Sequence, residues 1–223
     1  IESTYTVVQS PKNKNEVRDG LEVIQRIMAR YKPVLIPGLP RFSGGAVGYI
    51  GYEFIHDIEP VVPRPPNDEL KTPVIYFLIA GELLVFDRAT QTLTILVNVF
   101  TDNYSSPDKA YDDAVEKIKR IMAILQKPVS SSIAIFSDKV PDVSASSNTP
   151  KEKFIQNVLK AKQYIISGDI IQVVGSQRFK IHIKTTAIDV YRAARSINPS
   201  PYMFLLELDG FSLVGASPET HVR

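Results

Sequence analysis

Three stretches of the chain repeat apolar residues at intervals of three and four, the spacing that places them on one face of an α-helix. The first helix is expected after Asn15 and before Pro33. The second follows Ser106 and Pro107, which suit the N-cap and the first helical position, and Pro128 ends it. The apolar stripes of these two helices are Val17, Leu21, Ile24 and Met28, and Val115, Ile118, Met122 and Leu125.

The third helix has the clearest start signal in the sequence. Thr149 is predicted as its N-cap, Pro150 as its first helical residue and Glu152 as the capping-box partner, and Gly168 suits its C-terminal end. Its inward face is predicted to carry Phe154, Val158, Ala161 and Ile165. A fourth helix is expected at residues 186–197.

Short apolar runs predict the strands. The glycine-rich stretch 42–52 predicts a strand with close backbone packing, and 74–100 predicts a meander of three strands with turns at Ala80-Gly81 and residues 87–91. Ile171–Ile183 alternates as a strand, and Asp209-Gly210 predicts the turn of a C-terminal hairpin. The expected fold class is α+β, with mostly antiparallel sheets packed against helices.

A composition shift divides the chain. Residues 128–149 are rich in Ser, Pro and Asp and predict a linker, although "IAIF" at 133–136 can add a short strand. The expected domains are an N-terminal α+β region at 1–127 and a second region at 150–223.

Composition narrows the function classes. The chain has 223 residues, 44% of them apolar, and interspersed charges that sum to +2, so nothing points to nucleic acid. It has no cysteine, no apolar run that reaches a membrane span and no signal peptide, and we expect a cytoplasmic protein. Because it starts at Ile1 and ends at Arg223 in a strand-like run, we expect a fragment of a longer protein.

Several chemically suggestive residues have simpler interpretations. His56, His182 and His221 are scattered without metal-ligand spacing, and a surface or packing role is favoured for each. "GGAVGYIGY" lacks the spacing of a phosphate loop. The acidic trio Glu53, Asp57 and Glu59 is interpreted as a solvated loop face rather than a metal site.

Three motifs leave a functional alternative open. Gln172 and Ser176 share one face of the predicted strand, which is either a wet strand face or the polar floor of a pocket. "GASPE", residues 215–219, is either an exposed turn or a place where small residues admit a ligand beside the Glu219 carboxyl group. "NPSPYM", residues 198–203, is either a structural turn or a rigid apolar wall for an aromatic ligand.

Taken together, "GGAVGYIGYE", "GDIIQVVGSQRF", "INPSPYMFLLEL" and "LVGASPE" resemble, in order and spacing, the motifs of anthranilate synthase component I in the chorismate-utilising enzyme family. The resemblance covers essentially the whole chain. It implies that family's fold, incomplete in this chain, and a reaction of chorismate with ammonia that gives anthranilate and pyruvate for tryptophan biosynthesis. It also implies tryptophan as a feedback inhibitor.

The resemblance also implies roles for individual residues. Relatives that add water to chorismate have a lysine base where this chain has Gln172, so glutamine favours ammonia, which needs positioning more than deprotonation. Glu219 matches the general acid that protonates the departing 4-hydroxyl group. The expected substrate-binding residues are Gln172, Ser176, Gly215 and Ser217. The expected tryptophan-binding residues are Asn198, Ser200, Pro201, Tyr202 and Met203, with Ser3 as a remnant of the partner segment.

Other implications concern parts outside the motifs. The resemblance implies Mg²⁺, whose ligands are expected C-terminal to this chain, so no metal ligand is expected here. It also implies a glutamine amidotransferase subunit, component II, that supplies ammonia in a hetero-oligomer. We expect this segment to be inactive alone. The alternatives are 4-amino-4-deoxychorismate synthase component I and a non-catalytic module for tryptophan sensing or subunit docking.

One residue departs from the family pattern. The family strand normally has leucine where this chain has Gly175. The loss of a buried leucine side chain is expected to cost a few kcal/mol unless the surroundings compensate.

Overall fold

The computed structural model describes residues 20–34, 36–59, 61–129, 143–220 and 222. The chain forms two compact units, Ile1–Ser130 and Ser131–Arg223. Four two-stranded antiparallel sheets are present among the described residues, together with five α-helices, as the predicted α+β class requires. The division into domains at a linker of residues 128–149 stays a prediction.

The described part of the first unit contains three helices and four strands. They are α1 (Gly20–Met28), β1 (Gly45–Ile50), α2 (Ile55–Ile58), β2 (Ile75–Ala80), β3 (Glu82–Asp87), β4 (Thr92–Val97) and α3 (Pro107–Leu125), with 3₁₀ turns at Tyr52–Phe54 and Thr101–Asn103. The predicted start of the first helix after Asn15 lies outside the described residues. Leu21, Ile24 and Met28 of its stripe are half-buried.

β1 confirms the close backbone packing expected of the glycine-rich stretch. It pairs with β2, with Gly48 opposite Phe77. A Cβ atom on Gly48 would lie 1.8 Å from the backbone oxygen of Tyr76, so only glycine fits there. Phe54 and Tyr76 are buried and belong to the core of this unit.

The predicted meander is wrong in its pairing. Its three strands exist, but β2 pairs with β1 and β3 pairs with β4, so Ala80-Gly81 passes the chain from one sheet to the other instead of forming a hairpin turn. Asn98 fixes this crossing. Its backbone N–H donates to the Gly81 carbonyl at 2.7 Å, and its side chain donates to the Ser43 carbonyl at 2.8 Å.

Helix α3 begins as the sequence predicts. The Ser106 hydroxyl accepts from the Lys109 N–H at 3.3 Å, and Pro107 is the first helical residue. Arg120 holds the helix to β3 through Glu82, at 3.1 Å. Its inward face differs from the predicted stripe, because Ala110 and Ile121 are buried whereas Met122 and Leu125 are exposed. Val115 and Ile118 are half-buried.

A polar group on the first half of α3 ties the helix to the turn before it. Tyr104 donates a hydrogen bond to Asp113, which also pairs with Lys117 at 2.7 Å. The Lys117 hydrogen bond, followed by that of Tyr104, lowers the pKa of Asp113. The hydrogen bond to Asp113 in turn raises the pKa of Tyr104, because the phenol is held as the donor.

The described part of the second unit contains two helices and four strands. They are β5 (Ala145–Ser147), α4 (Lys151–Ser167), β6 (Phe179–Ile181), α5 (Ala187–Ile197), β7 (Tyr202–Leu208) and β8 (Phe211–Ser217). β5 pairs with β6 and lies inside the stretch predicted as linker, while the "IAIF" segment lies outside the described residues. Helix α5 packs on the β7–β8 hairpin.

The N-terminal cap predicted for α4 is wrong. Pro150 occupies the cap position with extended backbone angles, and no side chain caps the helix. Thr149 instead donates to the Asn148 side chain at 3.2 Å. At the other end Gly168 is left-handed, with φ 83°, as its predicted role requires. Of the predicted inward stripe, Phe154 and Ala161 are half-buried, but Val158 and Ile165 are exposed.

The long strand predicted at Ile171–Ile183 is also wrong in extent. Only β6 is a strand, and within the described part of the chain residues 171–176 make no backbone hydrogen bond. The network that holds the end of this segment involves Gln177, whose side chain donates to the Ser147 hydroxyl at 2.8 Å. Alternation of polar and apolar residues indicates which side chains would share a face if the segment were a strand. A strand forms only where a second strand is present to pair with its backbone N–H and C=O groups.

Candidate functional site at the open end of the hairpin

The β7–β8 hairpin brings two of the quoted motifs together. Asp209 and Gly210 form the predicted two-residue turn, with Gly210 left-handed at φ 80°. The register that follows pairs Tyr202 with Ser217 at the open end of the hairpin. "NPSPYM" therefore enters β7 directly beside the place where "GASPE" leaves β8.

A small cavity lies between these two segments. Its volume is about 180 Å³, and it is lined by Asn198, Pro199, Ser200, Pro201, Ala216 and Pro218. The three prolines fix the backbone around it, because each proline ring locks φ. The lining confirms that the two motifs meet in space. The assigned roles of Asn198, Ser200 and Pro201 in tryptophan binding stay predictions.

Hydrogen bonds join the two segments that line the cavity and continue to residues 219 and 220. The Ser200 hydroxyl donates to the Ser217 carbonyl, and the Tyr202 backbone N–H lies 3.4 Å from the same Ser200 oxygen. The Ser217 hydroxyl donates to the Glu219 carbonyl at 3.1 Å, and Thr220 donates to the Tyr202 hydroxyl at 2.8 Å. Glu219 itself is exposed.

Helix α5 ends at the residue before the cavity lining begins. The Thr186 hydroxyl caps the helix by accepting from the Asp189 N–H at 3.3 Å, and the hydrogen bond from Thr186 lowers the pKa of the Asp189 carboxyl group. Asn198 ends the helix, its N–H donating to the Ala194 carbonyl at 2.9 Å. Met203, on β7, is half-buried. Ser3 lies outside the described residues.

Gly215 has a packing role that the sequence did not reveal. It lies opposite Phe204, and a Cβ atom on Gly215 would lie 2.2 Å from the tip of the Phe204 ring. The ring therefore covers the glycine, an arrangement by which an aromatic residue compensates for a glycine in a strand. The substrate-binding role assigned to Gly215 stays a prediction, and the ring is a second reason for a glycine at this position.

The other predicted chorismate contacts lie outside the hairpin. Gln172 and Ser176 are exposed in the extended segment before β6, and among the described residues no hydrogen bond joins either side chain to Glu219. The structure therefore leaves their catalytic and binding roles as predictions. The same segment contains Gly175, and a Cβ atom there would meet nothing within 4 Å. Among the described residues, a leucine side chain at position 175 would therefore begin in open space, and the free-energy cost predicted for its loss has no contact to account for it.

Three residues that line the cavity lie inside the two motifs but were given no role of their own by the sequence analysis: Pro199, Ala216 and Pro218. Thr220 was missed altogether, and its place next to "GASPE" was the only signal for it. The strand register that places Thr220 beside Tyr202 is a property of the folded hairpin.

The family model described as chorismate binding enzyme matches residues 3–223. The chain belongs to the chorismate binding enzyme family. Among curated relatives of this family member, anthranilate synthase component 1 of Acetivibrio thermocellus is 39% identical over 98% of this chain and 47% of its own length. A probable anthranilate synthase component 1 of Schizosaccharomyces pombe is 35% identical over 99% of this chain and 46% of its own length.

A solved structure supports the fold of this chorismate binding enzyme. Anthranilate synthase component I from Streptococcus pneumoniae superposes with a TM-score of 0.74 at 25% identity, covering 90% of this chain and 44% of that protein. The predicted resemblance and fold class are thereby confirmed. The chain spans about half the length of the relatives that it matches.

Two further properties of this family member bear on its chemistry. No three carboxylate or histidine side chains come together to hold a metal ion in the described ranges, and the acidic trio is no exception, since Asp57 pairs with Arg64. The described residues therefore do not supply a set of ligands that fits a Mg²⁺ ion. No helix in the described part of the chain is long and apolar enough to cross a membrane.

Proposed function

We propose that the chain acts in the large subunit of an anthranilate synthase, which converts chorismate and ammonia to anthranilate, pyruvate and water. Family membership and the similarity to anthranilate synthase component 1 over 98% of the chain support this proposal. The observation that carries its regulatory part is the cavity between "NPSPYM" and "GASPE". In the proposal this cavity receives tryptophan, the end product, as a feedback inhibitor.

Glu219 is the proposed general acid. When ammonia adds to the ring, the 4-hydroxyl group of chorismate leaves, and a proton from the Glu219 carboxyl group lets it depart as water. Loss of the side chain as pyruvate then gives anthranilate. The exposed position of Glu219 at the end of β8 leaves its carboxyl group accessible to a substrate.

Gln172 is proposed to position the nucleophile. An amide group donates and accepts hydrogen bonds but takes no proton at neutral pH. Ammonia carries its own lone pair and needs orientation, whereas water needs a base. Gln172 and Ser176, with Gly215 and Ser217, are the residues that we propose to contact chorismate.

The remaining parts of the proposal follow from the similarity to large subunits. The ammonia comes from glutamine through an amidotransferase subunit in a hetero-oligomer, the complete enzyme uses Mg²⁺, and the reaction takes place in the cytoplasm. Because the chain spans about half the length of its relatives, these properties belong to a whole enzyme.

Isothermal titration calorimetry tests the proposal with L-tryptophan and with chorismate in separate titrations. We expect L-tryptophan to bind and D-tryptophan to bind much more weakly. Pro201→Ala should weaken L-tryptophan binding about tenfold, because the turn loses its fixed backbone on the cavity wall. The matched control is Pro63→Ala in an exposed loop of the other unit, which should bind normally.

The possible outcomes separate the functions. Absence of L-tryptophan binding would overturn the regulatory part of the proposal. Binding of both tryptophan and chorismate is expected of a chain that contributes to catalysis. Binding of tryptophan alone would support a module that senses the amino acid without taking part in the chemistry.

A further inference from the structure

Two hydrogen bonds join the segments on either side of the cavity. Glu219 lies between Ser217 and Thr220, and each of these two residues is hydrogen-bonded to a residue at the start of β7. On one side the Ser217 carbonyl accepts from Ser200, and on the other Thr220 donates to Tyr202 at 2.8 Å. Only Pro218 and Glu219 lie between these anchors.

These hydrogen bonds restrict the backbone at Glu219. Pro218 has a fixed φ, and the Glu219 carbonyl accepts from the Ser217 hydroxyl at 3.1 Å. Rotation of the backbone at Glu219 would break that bond or the Thr220 bond. The position of the carboxyl group therefore depends on where Ser200 and Tyr202 lie.

Ser200 and Tyr202 also belong to the turn that forms the other wall of the cavity. Ser200 lines the cavity directly, and Tyr202 begins the strand that follows. A ligand that fills the cavity contacts Pro201 on one wall and Pro218 on the other. Because the prolines stiffen both walls, displacement of one wall is carried to the other through the two hydrogen bonds and not absorbed by backbone rotation.

We propose that Ser200, Tyr202 and Thr220 are positioning residues for Glu219, and that a ligand in the cavity acts on the Glu219 carboxyl group through their hydrogen bonds. The role of Glu219 as an acid rests on the proposed function. The mechanical link between the cavity and residue 219 does not, and it can be measured without any reaction.

Nuclear magnetic resonance on the unliganded chain tests the link. In the wild type we expect the Glu219 amide to be ordered, with an order parameter of about 0.8, and in Thr220→Val we expect this order parameter to fall below about 0.6, the range of flexible backbone. Valine has the shape of threonine without the hydroxyl group. Thr220→Ser keeps the hydroxyl group and should restore the wild-type value, which a role in packing alone would not predict.

A double-variant comparison identifies the partner. If Tyr202 and Thr220 act through one hydrogen bond, then Tyr202→Phe and the combination Tyr202→Phe with Thr220→Val should each give the same loss of order as Thr220→Val alone. Ser200→Ala should loosen residues 217–219 independently. Thermal melting shows whether each variant remains folded, and Thr94→Val on β4 serves as the matched control in the other unit.

Titration with L-tryptophan completes the test. In the wild type the Glu219 amide resonance should shift together with those of Asn198, Ser200, Tyr202 and Met203, and in Thr220→Val the shift at Glu219 should fall at least twofold while Asn198 and Ser200 still respond. Unchanged order at Glu219 in folded Thr220→Val and Ser200→Ala would overturn the link. Failure of tryptophan to bind would instead count against the proposed function, because the unliganded measurements stand alone.

Discussion

Gly215→Ala is the substitution whose effect the structure defines most sharply. The new methyl group would lie 2.2 Å from the Phe204 ring tip and 2.5 Å from the next ring carbon, closer than carbon atoms approach. The ring is the free end of a side chain, so it can swing off the hairpin face. The substitution should therefore expose the ring and leave the backbone pairing in place.

The expected magnitude follows from the area that the ring loses. An aromatic side chain buries roughly 150–250 Å², and Phe204 is 44% exposed, so on the order of 100 Å² is at stake. At about 25 cal/mol per Å² this amounts to about 2.5 kcal/mol as an upper value. Alanine offsets about 0.4–1 kcal/mol by restricting the unfolded chain. The net destabilisation should be about 1.5–2 kcal/mol.

A double-mutant cycle with Phe204→Ala tests this reasoning. Without the ring, Gly215→Ala should become neutral or stabilising by about 0.5 kcal/mol, so the coupling between the two positions should be about 2 kcal/mol. Urea unfolding should be followed by the resonances of β7 and β8, because the chain has two units and a single transition is not assured. An equal cost of Gly215→Ala in both backgrounds would refute the packing role of the ring.

Three other expectations rest on the first unit. Gly48→Ala should destabilise it by about 3 kcal/mol in urea unfolding, because the methyl group would meet rigid backbone at 1.8 Å; a cost below 1 kcal/mol would contradict this. Ser106→Ala should cost about 1 kcal/mol through loss of the α3 cap, and Ser106→Asp should restore it. The pKa of Asp113 is lowered, mainly by its hydrogen bond with Lys117. The ionised Asp113 side chain should therefore contribute fully to the stability of the fold well above pH 3.8, and this contribution should be lost as the pH falls below that value. Wild type and Asp113→Asn should therefore converge in acid, and a gap that persists there would rule this out.

Features encoded by adjacent residues could be predicted from the sequence. Ser106 with Pro107, and Asp209 with Gly210, each form their cap or turn from groups a few residues apart. Their geometry is set by local backbone angles and one short hydrogen bond, so distant parts of the chain have little influence on it.

Features that depend on distant partners could not be predicted. Ala80-Gly81 looks like a hairpin turn, but Asn98 and the strand at 45–50 decide where β2 pairs. Thr149 and Pro150 both suit a helix start, but Thr149 donates to the Asn148 side chain, which also accepts from the distant Arg178 N–H at 3.0 Å, and Thr149 does not cap the helix.

The candidate site shows the same division. The motifs at 198–203 and 215–219 were visible in the sequence, and the resemblance attached roles to them. Their meeting in one cavity depends on hairpin register, as does the place of Thr220 beside Tyr202. The roles of Gln172 and Ser176 need contacts that the described residues do not supply.

The extended segment before β6 has a consequence for how this chain behaves in concentrated solution. Ile171 is 97% exposed and Val174 is 83% exposed, and no charged residue lies between Asp169 and Arg178. Open backbone groups beside β-branched side chains form a template on which a second copy of the same segment can add as a strand. Asp169 and Arg178 flank that template as charged gatekeepers, so replacing both with uncharged residues should promote self-association of the chain through this segment.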